Sequence, residues 1–353
     1  MAIYIQSAAQ ISIQNPLCED WFENPISHNE TYNRSVEPDY KPFINPIAAR
    51  RMGKLIKRAM ATSIEAKKLA GAEQIDAIIT GTGLGCIANT EIFLSAMVKE
   101  GEQFLQPTYF MQSTHNTISS QIALNLKCNG YNCTYSHRGT SFECGLSDAL
   151  MQFRLGRISN ALVGAHDEMT PDYFRMLGKI GYWKNGEISD ELLRKHAEKG
   201  SFAGETSVSL FLGTQKTEQT LCQLQDVELL YKPTDDKMQK TIQSLLKQAN
   251  IAIEDVDCLM LGLSGDSDYD AIYLDFAKKY FPQTPIAWYK NIFGESFTSS
   301  ALGVYVAAEC ISKGMVPNHL VYSNQISQPV RPRTILVYNH FQNIDHSLIL
   351  LSE

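Results

Sequence analysis

The chain has 353 residues, 44% hydrophobic and 20% charged, with a formal net charge of −7 at pH 7. These proportions suit a soluble globular protein of one large domain or two fused halves. They argue against a basic nucleic-acid-binding surface, and no stretch approaches the ~18 uninterrupted apolar residues of a membrane span.

The opening MAIYIQSAAQISIQNP has no basic segment leading into a long apolar core. It is expected to be a strand entering the fold, not a signal peptide. The rest of the first 50 residues reads as loops or surface insertions, as does the charged stretch 185–200. Residues 66–80, AKKLAGAEQIDAIIT, run from a helix end into an apolar strand that stops at Gly81. The same layout returns at 240–262, KTIQSLLKQANIAIEDVDCLMLG. In both, apolar residues at i, i+3 and i+4 give way to a turn, an acidic residue and a buried strand, which then opens into a Gly-rich turn. Repetition of one supersecondary unit predicts an internally duplicated α/β protein. Between and after these units, CTYSHRGTS (133–141) reads as a strand into a tight turn, and FECGLSDALMQFRLG (142–156) as a helix. ISNALVGAHDE (158–168), SVSLFLGT (207–214) and TILVYN (334–339) read as strands, and TSSALGVYVAAECISKG (298–314) as a long apolar helix.

The eight cysteines, at 18, 86, 128, 133, 144, 222, 258 and 310, form no CxxC pair. Free thiols in a reducing cytoplasm are expected. GTGLGC (81–86) lacks the spacing of a dinucleotide fingerprint and reads as a strand-end turn. GDSDYD (265–270) has calcium-like spacing without the distal glutamate of an EF-hand, so a loop is expected. His166-Asp167-Glu168 reads as a salt-bridged strand end. Neither a cofactor nor a metal is expected.

Eight segments in order resemble the β-ketoacyl-acyl-carrier-protein synthase family. They are GTGLG (81–85), PTYFMQSTHNTISSQIALNLKCNG (107–130), CTYSHRGTS with GRISNALVGAHDE (156–168), GSFAGETSVSLFLG (200–213), ANIAIEDVDCLMLGLSGDSDYD (249–270), KNIFGESFTSSALGVYVAAECI (290–311) and LVYNHFQNIDHSLILLS (336–352). The resemblance implies a thiolase-like five-layer αβαβα fold of two duplicated halves, 1–215 and 216–353. Condensation in that family uses a cysteine at a helix N-terminus and two histidines. Carried onto this sequence, the cysteine position is Gly139 and the histidine positions are Ser264 and Glu295. Thr140, Lys290 and Phe341 belong to the retained frame. Glycine at the elbow is expected to serve strained dihedrals.

The resemblance therefore implies a non-condensing partner similar to a chain length factor of fatty acid or polyketide biosynthesis, in the manner of aryl-polyene or flexirubin-type synthases. It would form a homodimer or a heterodimer with a catalytic synthase and work with an acyl carrier protein in the cytoplasm. Strand 131–136 would pair across the dimer axis. Phe110, Met111, Thr114 and His115 would reach the partner's tunnel. Two alternatives stand beside this. One is an acyltransferase or decarboxylase with altered chemistry, using Glu295 and Ser264, or Cys144 as a replacement nucleophile; Ser141 would need His137 or His115 as its base. The other is a homodimeric acyl-binding module.

Overall fold

The computed structural model describes residues 1–323 and 329–353. The first half contributes strands β1 (Tyr4–Ile11), β2 (Ala77–Gly81), β3 (Tyr131–Tyr135), β4 (Asn160–Asp167) and β5 (Thr206–Gly213). Its helices are α1 (Pro46–Ala49), α2 (Lys54–Leu69), α3 (Ile87–Glu100), α4 (Pro107–Ser113), α5 (Thr117–Leu126), α6 (Ser141–Arg154), α7 (Pro171–Gly178) and α8 (Asp190–Lys195). The second half contributes β6 (Cys222–Tyr231), β7 (Cys258–Leu261), β8 (Ile286–Trp288), β9 (Val321–Ser323), β10 (Thr334–Phe341) and β11 (Asp345–Ser352). Its helices are α9 (Asp235–Ala249), α10 (Asp270–Tyr280), α11 (Lys290–Phe293) and α12 (Ser300–Lys313).

Strand order gives the duplication a firm geometric form. The sheet runs β3-β2-β4-β5-β1-β6-β11-β10-β7-β8-β9. Within the first half, β2 pairs in parallel with β3 and β4, while β5 pairs antiparallel with β4 and β1. Within the second, β7 pairs in parallel with β8 and β10, while β11 pairs antiparallel with β10 and β6. The two arrangements are the same. A short antiparallel contact of Tyr4 and Ile5 with Gln223 and Cys222 joins them.

The apolar patterns of the helices decide the layers. α6 and α12 are buried on nearly every face, and their core cluster includes strand residues of both halves. They form the central layer. α2 and α5 cover the outer face of the first half, and α9 and α10 that of the second. The sequence of layers is helix, sheet, helix, sheet, helix. Two stretches expected as surface loops differ. Trp21 and Phe22 lie in the central core, where Trp21 Nε1 donates to Tyr305 Oη at 3.1 Å. The 185–200 stretch holds α8 and packs against the second half, as described below.

Candidate functional site

The elbow between β3 and α6 positions the site. Arg138 takes φ 48°, and a single 3-10 turn over Arg138–Thr140 leads into the helix. A left-handed arginine costs on the order of 1 kcal/mol, so the surroundings must hold it. Ser141 does this: its hydroxyl accepts from the His137 N–H (2.7 Å), with the carbonyls of Arg138 (2.8 Å) and Thr82 (3.0 Å) in reach of its proton. Gly139 itself is not left-handed, which corrects the dihedral argument for a glycine here. Its need is for space. A Cβ on Gly139 would stand 2.5 Å from Cγ and Cδ2 of Phe341. Phe297 presses on Gly83 in the same way, 2.4 Å from a Cβ there, and the two phenylalanine rings meet at 5.8 Å.

Gly139, Ser264 and Glu295 line one cleft of about 120 Å³, together with Lys290, Asn339 and Phe341. At the Glu295 position, Lys290 Nζ donates to one carboxylate oxygen at 2.6 Å and Ser299 Oγ to the other at 2.8 Å. Gly294 before it has φ 70° and ψ −175°, a conformation open essentially to glycine. Backbone bonds from Glu295 N to Phe202 O and from Gly204 N to Glu295 O then fix the turn. Burial lowers the Lys290 pKa, but the attraction of Glu295 outweighs it and the net shift is upward. At the Ser264 position, the backbone N–H groups of Ser264 and Gly265 donate to Asp270, and Ser264 Oγ lies 3.5 Å from the same carboxylate.

Residues 19–185, which include the elbow, match the family model for the β-ketoacyl synthase N-terminal domain. Over this stretch, just under half of its length, the chain is β-ketoacyl synthase-like. Its fold is also that of solved structures from this group. The ishigamide ketosynthase/chain length factor superposes with a TM-score of 0.83 at 16% identity, covering 99% of this chain and 98% of that one. A β-ketoacyl synthase from Burkholderia phymatum STM815 gives 0.81 at 13% identity, covering 100% and 99%. The ketosynthase ApeO in complex with its chain length factor ApeC, from Xenorhabdus doucetiae, gives 0.81 at 13%, covering 100% and 98%. A search of curated proteins finds no match of significance.

The synthase-like cleft contains one histidine that the motif comparison missed, His340. Its Nδ1 accepts from the Asn343 N–H (3.2 Å), which leaves Nε2 to donate to the Tyr269 carbonyl (3.2 Å). Burial, with His346 and Lys290 nearby, lowers its pKa to about 3. A neutral ring with both nitrogens engaged is a packed wall, not a poised base. The signal that would have found it is its place next to Phe341 in the closing hairpin.

Cys144 lies half-buried in α6 outside the cleft lining, and burial followed by the Glu143 charge raises its thiol pKa. That is the opposite of an activated nucleophile. Phe110, Met111, Thr114 and His115 sit on a separate face. Phe110 and Met111 are 55% and 65% exposed, and Thr114 Oγ1 bonds Thr117 Oγ1 at 2.8 Å. Among the described residues the 166–168 cluster forms no salt bridge. Asp167 is satisfied by Thr82 Oγ1, Gly83 N, Leu84 N and Thr298 Oγ1, which takes up two of the N–H groups of the GTGLGC turn. The GDSDYD carboxylates diverge: Asp266 accepts from the Asp268 N–H, Asp268 pairs with Lys199, and Asp270 serves the Ser264 turn.

Sequence reasoning also missed the role of residues 184–201. His196 Nδ1 meets Asp270 at 2.7 Å and its Nε2 meets Tyr322 Oη at 2.7 Å. Lys184 Nζ donates to the carbonyls of Glu198 and Gly265, and Arg194 donates to those of Val321 and Tyr322. The segment is thus a fixed wall of the cleft, to which it lends Lys199 and Ser201. Asp270→Ala should free it. We expect faster proteolysis between 184 and 200 and a stability loss of about 2–3 kcal/mol. Unchanged protease protection would count against this role for Asp270.

Proposed function

We propose that this chain is a non-condensing partner subunit, similar to a chain length factor, that pairs with a catalytic β-ketoacyl synthase and shapes its acyl tunnel in polyketide-type synthesis. The observation that carries the reading is the cleft itself. The three triad positions meet there, and none presents a thiol or an imidazole. Gly139 is packed by Phe341, Glu295 is held by Lys290, and Ser264 faces Asp270.

The surface supports a partner. β3 stands at the end of the sheet, with β2 as its neighbour, and no other strand among the described residues pairs with its outer edge. α4 packs on α5, which packs on β3, and α3, α4 and the turn between them expose Val98, Phe104, Phe110 and Met111, the first two to 83% and 88%. An open strand edge and a run of exposed apolar side chains are both costly in isolation. Two of the similar structures hold a ketosynthase with a chain length factor, and a third, AntDE:AntF, holds a ketosynthase with an acyl-carrier protein. We extend the reading to a heterodimer, an acyl carrier protein as second partner, an aryl-polyene type of pathway and a cytoplasmic setting. The halves 1–215 and 216–353 act as one unit, Phe110 and Met111 set tunnel depth, and Thr114 and His115 support them.

The test is co-expression with neighbouring synthase genes, followed by sizing and an elongation assay. A heterodimer is expected, and Phe110→Ala with Met111→Ala should lengthen the product without abolishing elongation. A chain that stays homodimeric and leaves the neighbour's activity unchanged sinks the reading.

A further inference from the structure

Helix α4 is short and has little to hold it. None of its seven residues is buried, and Phe110 and Met111 are largely in solvent. A helix well under the ~12–15 residues needed for independent stability must be fixed from outside. Phe110 leans on Phe93 of α3, with ring centroids 5.4 Å apart. The carbonyl of Phe110 accepts from Ser113 Oγ at 2.7 Å and that of Met111 from Thr117 Oγ1 at 2.6 Å, which closes the last turn. Those hydroxyl bonds shape the turn but do not place it against α2 or α3.

Gln112 does that. Its Oε1 accepts from the Gly53 N–H and from Asn89 Nδ2, both at 2.9 Å, and its Nε2 donates to the Arg51 carbonyl. The two backbone partners fix which end of the amide is oxygen, since an N–H can only donate and a carbonyl only accept. Gly53 is the N-cap residue of α2, and Asn89 is buried in α3. Among the described residues, Gln112 is the only α4 side chain hydrogen-bonded to α3 or to the start of α2. The approach needs a glycine at 53: a Cβ there would stand 3.0 Å from Asn89 Oδ1 and 3.4 Å from Gln112 Oε1.

We propose that Gln112 is a positioning residue for Phe110 and Met111: by clamping α4 to α3 and to the start of α2, it sets where those two side chains stand, and so the length of the product. The effect on product length rests on the chain-length-factor reading; the clamp does not. Gln112 turns inward to its three partners while its neighbours in α4 turn outward, so it acts through them.

Two variants of the full-length chain test this. Gln112→Met keeps the length of the side chain and removes all three bonds. Gln112→Glu keeps the acceptor for Gly53 and Asn89 but loses the donor to Arg51. Chymotrypsin can cut after Tyr109 and Phe110 only when α4 opens, so the initial cleavage rate follows the open population. It should rise about tenfold in Gln112→Met and about threefold in Gln112→Glu. Cleavage after Phe104, in the turn before the helix, is the internal control and should stay within about twofold. In the co-expressed pair, Gln112→Met should shift or broaden the product lengths while total elongation stays within about twofold. A merely structural role would lower the total and leave the lengths alone.

Unchanged cleavage at Tyr109 and Phe110 in Gln112→Met, or an equal rise after Phe104, overturns the clamp. So do unchanged product lengths in Gln112→Met where Phe110→Ala with Met111→Ala alters them. If that double variant also leaves the lengths unchanged, it is the chain-length-factor reading that has failed, and the cleavage rates alone decide for or against the clamp.

Discussion

Gly139→Cys is expected to give a thiol that forms no acyl adduct. The new Cβ would collide with the Phe341 ring, whose Cγ and Cδ2 lie 2.5 Å from its ideal position. Overpacking of this kind costs about 1–3 kcal/mol, so the single variant should also lose stability. Adding Phe341→Gly removes the obstacle, which includes the Phe341 Cβ at 2.7 Å as well as the ring. The thiol then stands at the start of α6, where the free N–H groups favour a thiolate. The double variant should take an acyl group from an activated thioester, seen as a mass increase. It should still fail to condense, because Ser264 and Glu295 supply no imidazole. Rapid acylation of the single variant would show that Phe341 swings away freely, and the spatial account of Gly139 would be lost.

The second large effect is at the ion pair. Glu295→Ala leaves Lys290, with 4% side-chain exposure, as an unpaired cation in the protein interior. Breaking a buried pair from one side typically costs about 3–5 kcal/mol. Lys290→Met should cost less, because Glu295 keeps Ser299 and 18% exposure to water. Replacing both, Lys290→Met with Glu295→Ala, should recover most of the loss. Denaturant midpoints across the four proteins measure the coupling. The pH dependence has a definite sign. Lys290 is raised in the folded state, so the stability from its pairing is complete below the unfolded lysine value of about 10.4. It is lost only as pH rises through the higher folded value. The gap between parent and Glu295→Ala should therefore be constant near neutrality and shrink in strong alkali. An equal cost for Glu295→Ala and Lys290→Met would argue that neither charge is truly sequestered.

Much of the architecture was legible because it is written in local periodicity. The helix-to-strand units ending at Gly81 and Gly262 sit at β2 and β7, equivalent places in the two halves. The elbow, too, was visible as a strand, a tight turn and a helix. What escaped depends on contacts far apart in sequence. Nothing near Gly139 announces Phe341, and nothing near His196 announces Asp270 or Tyr322. Trp21 looked like loop because its stretch has no periodic pattern, yet it reaches Tyr305 on α12. Single residues can be anchored by tertiary packing without any repeat to betray them. The reason for Gly139 was misread for the same cause. A sequence shows that a side chain is missing, but only three dimensions show what fills its place.

The open edge of β3 has a consequence for how much of this protein a cell can hold. A bare strand on a chain that also exposes apolar helix residues is a template for non-native pairing. If the chain pairs as proposed, copies made in excess of the proposed partner would be drawn into aggregates or cleared by proteolysis. Abundance would then follow the scarcer subunit, and the two would be kept in step by degradation as much as by synthesis.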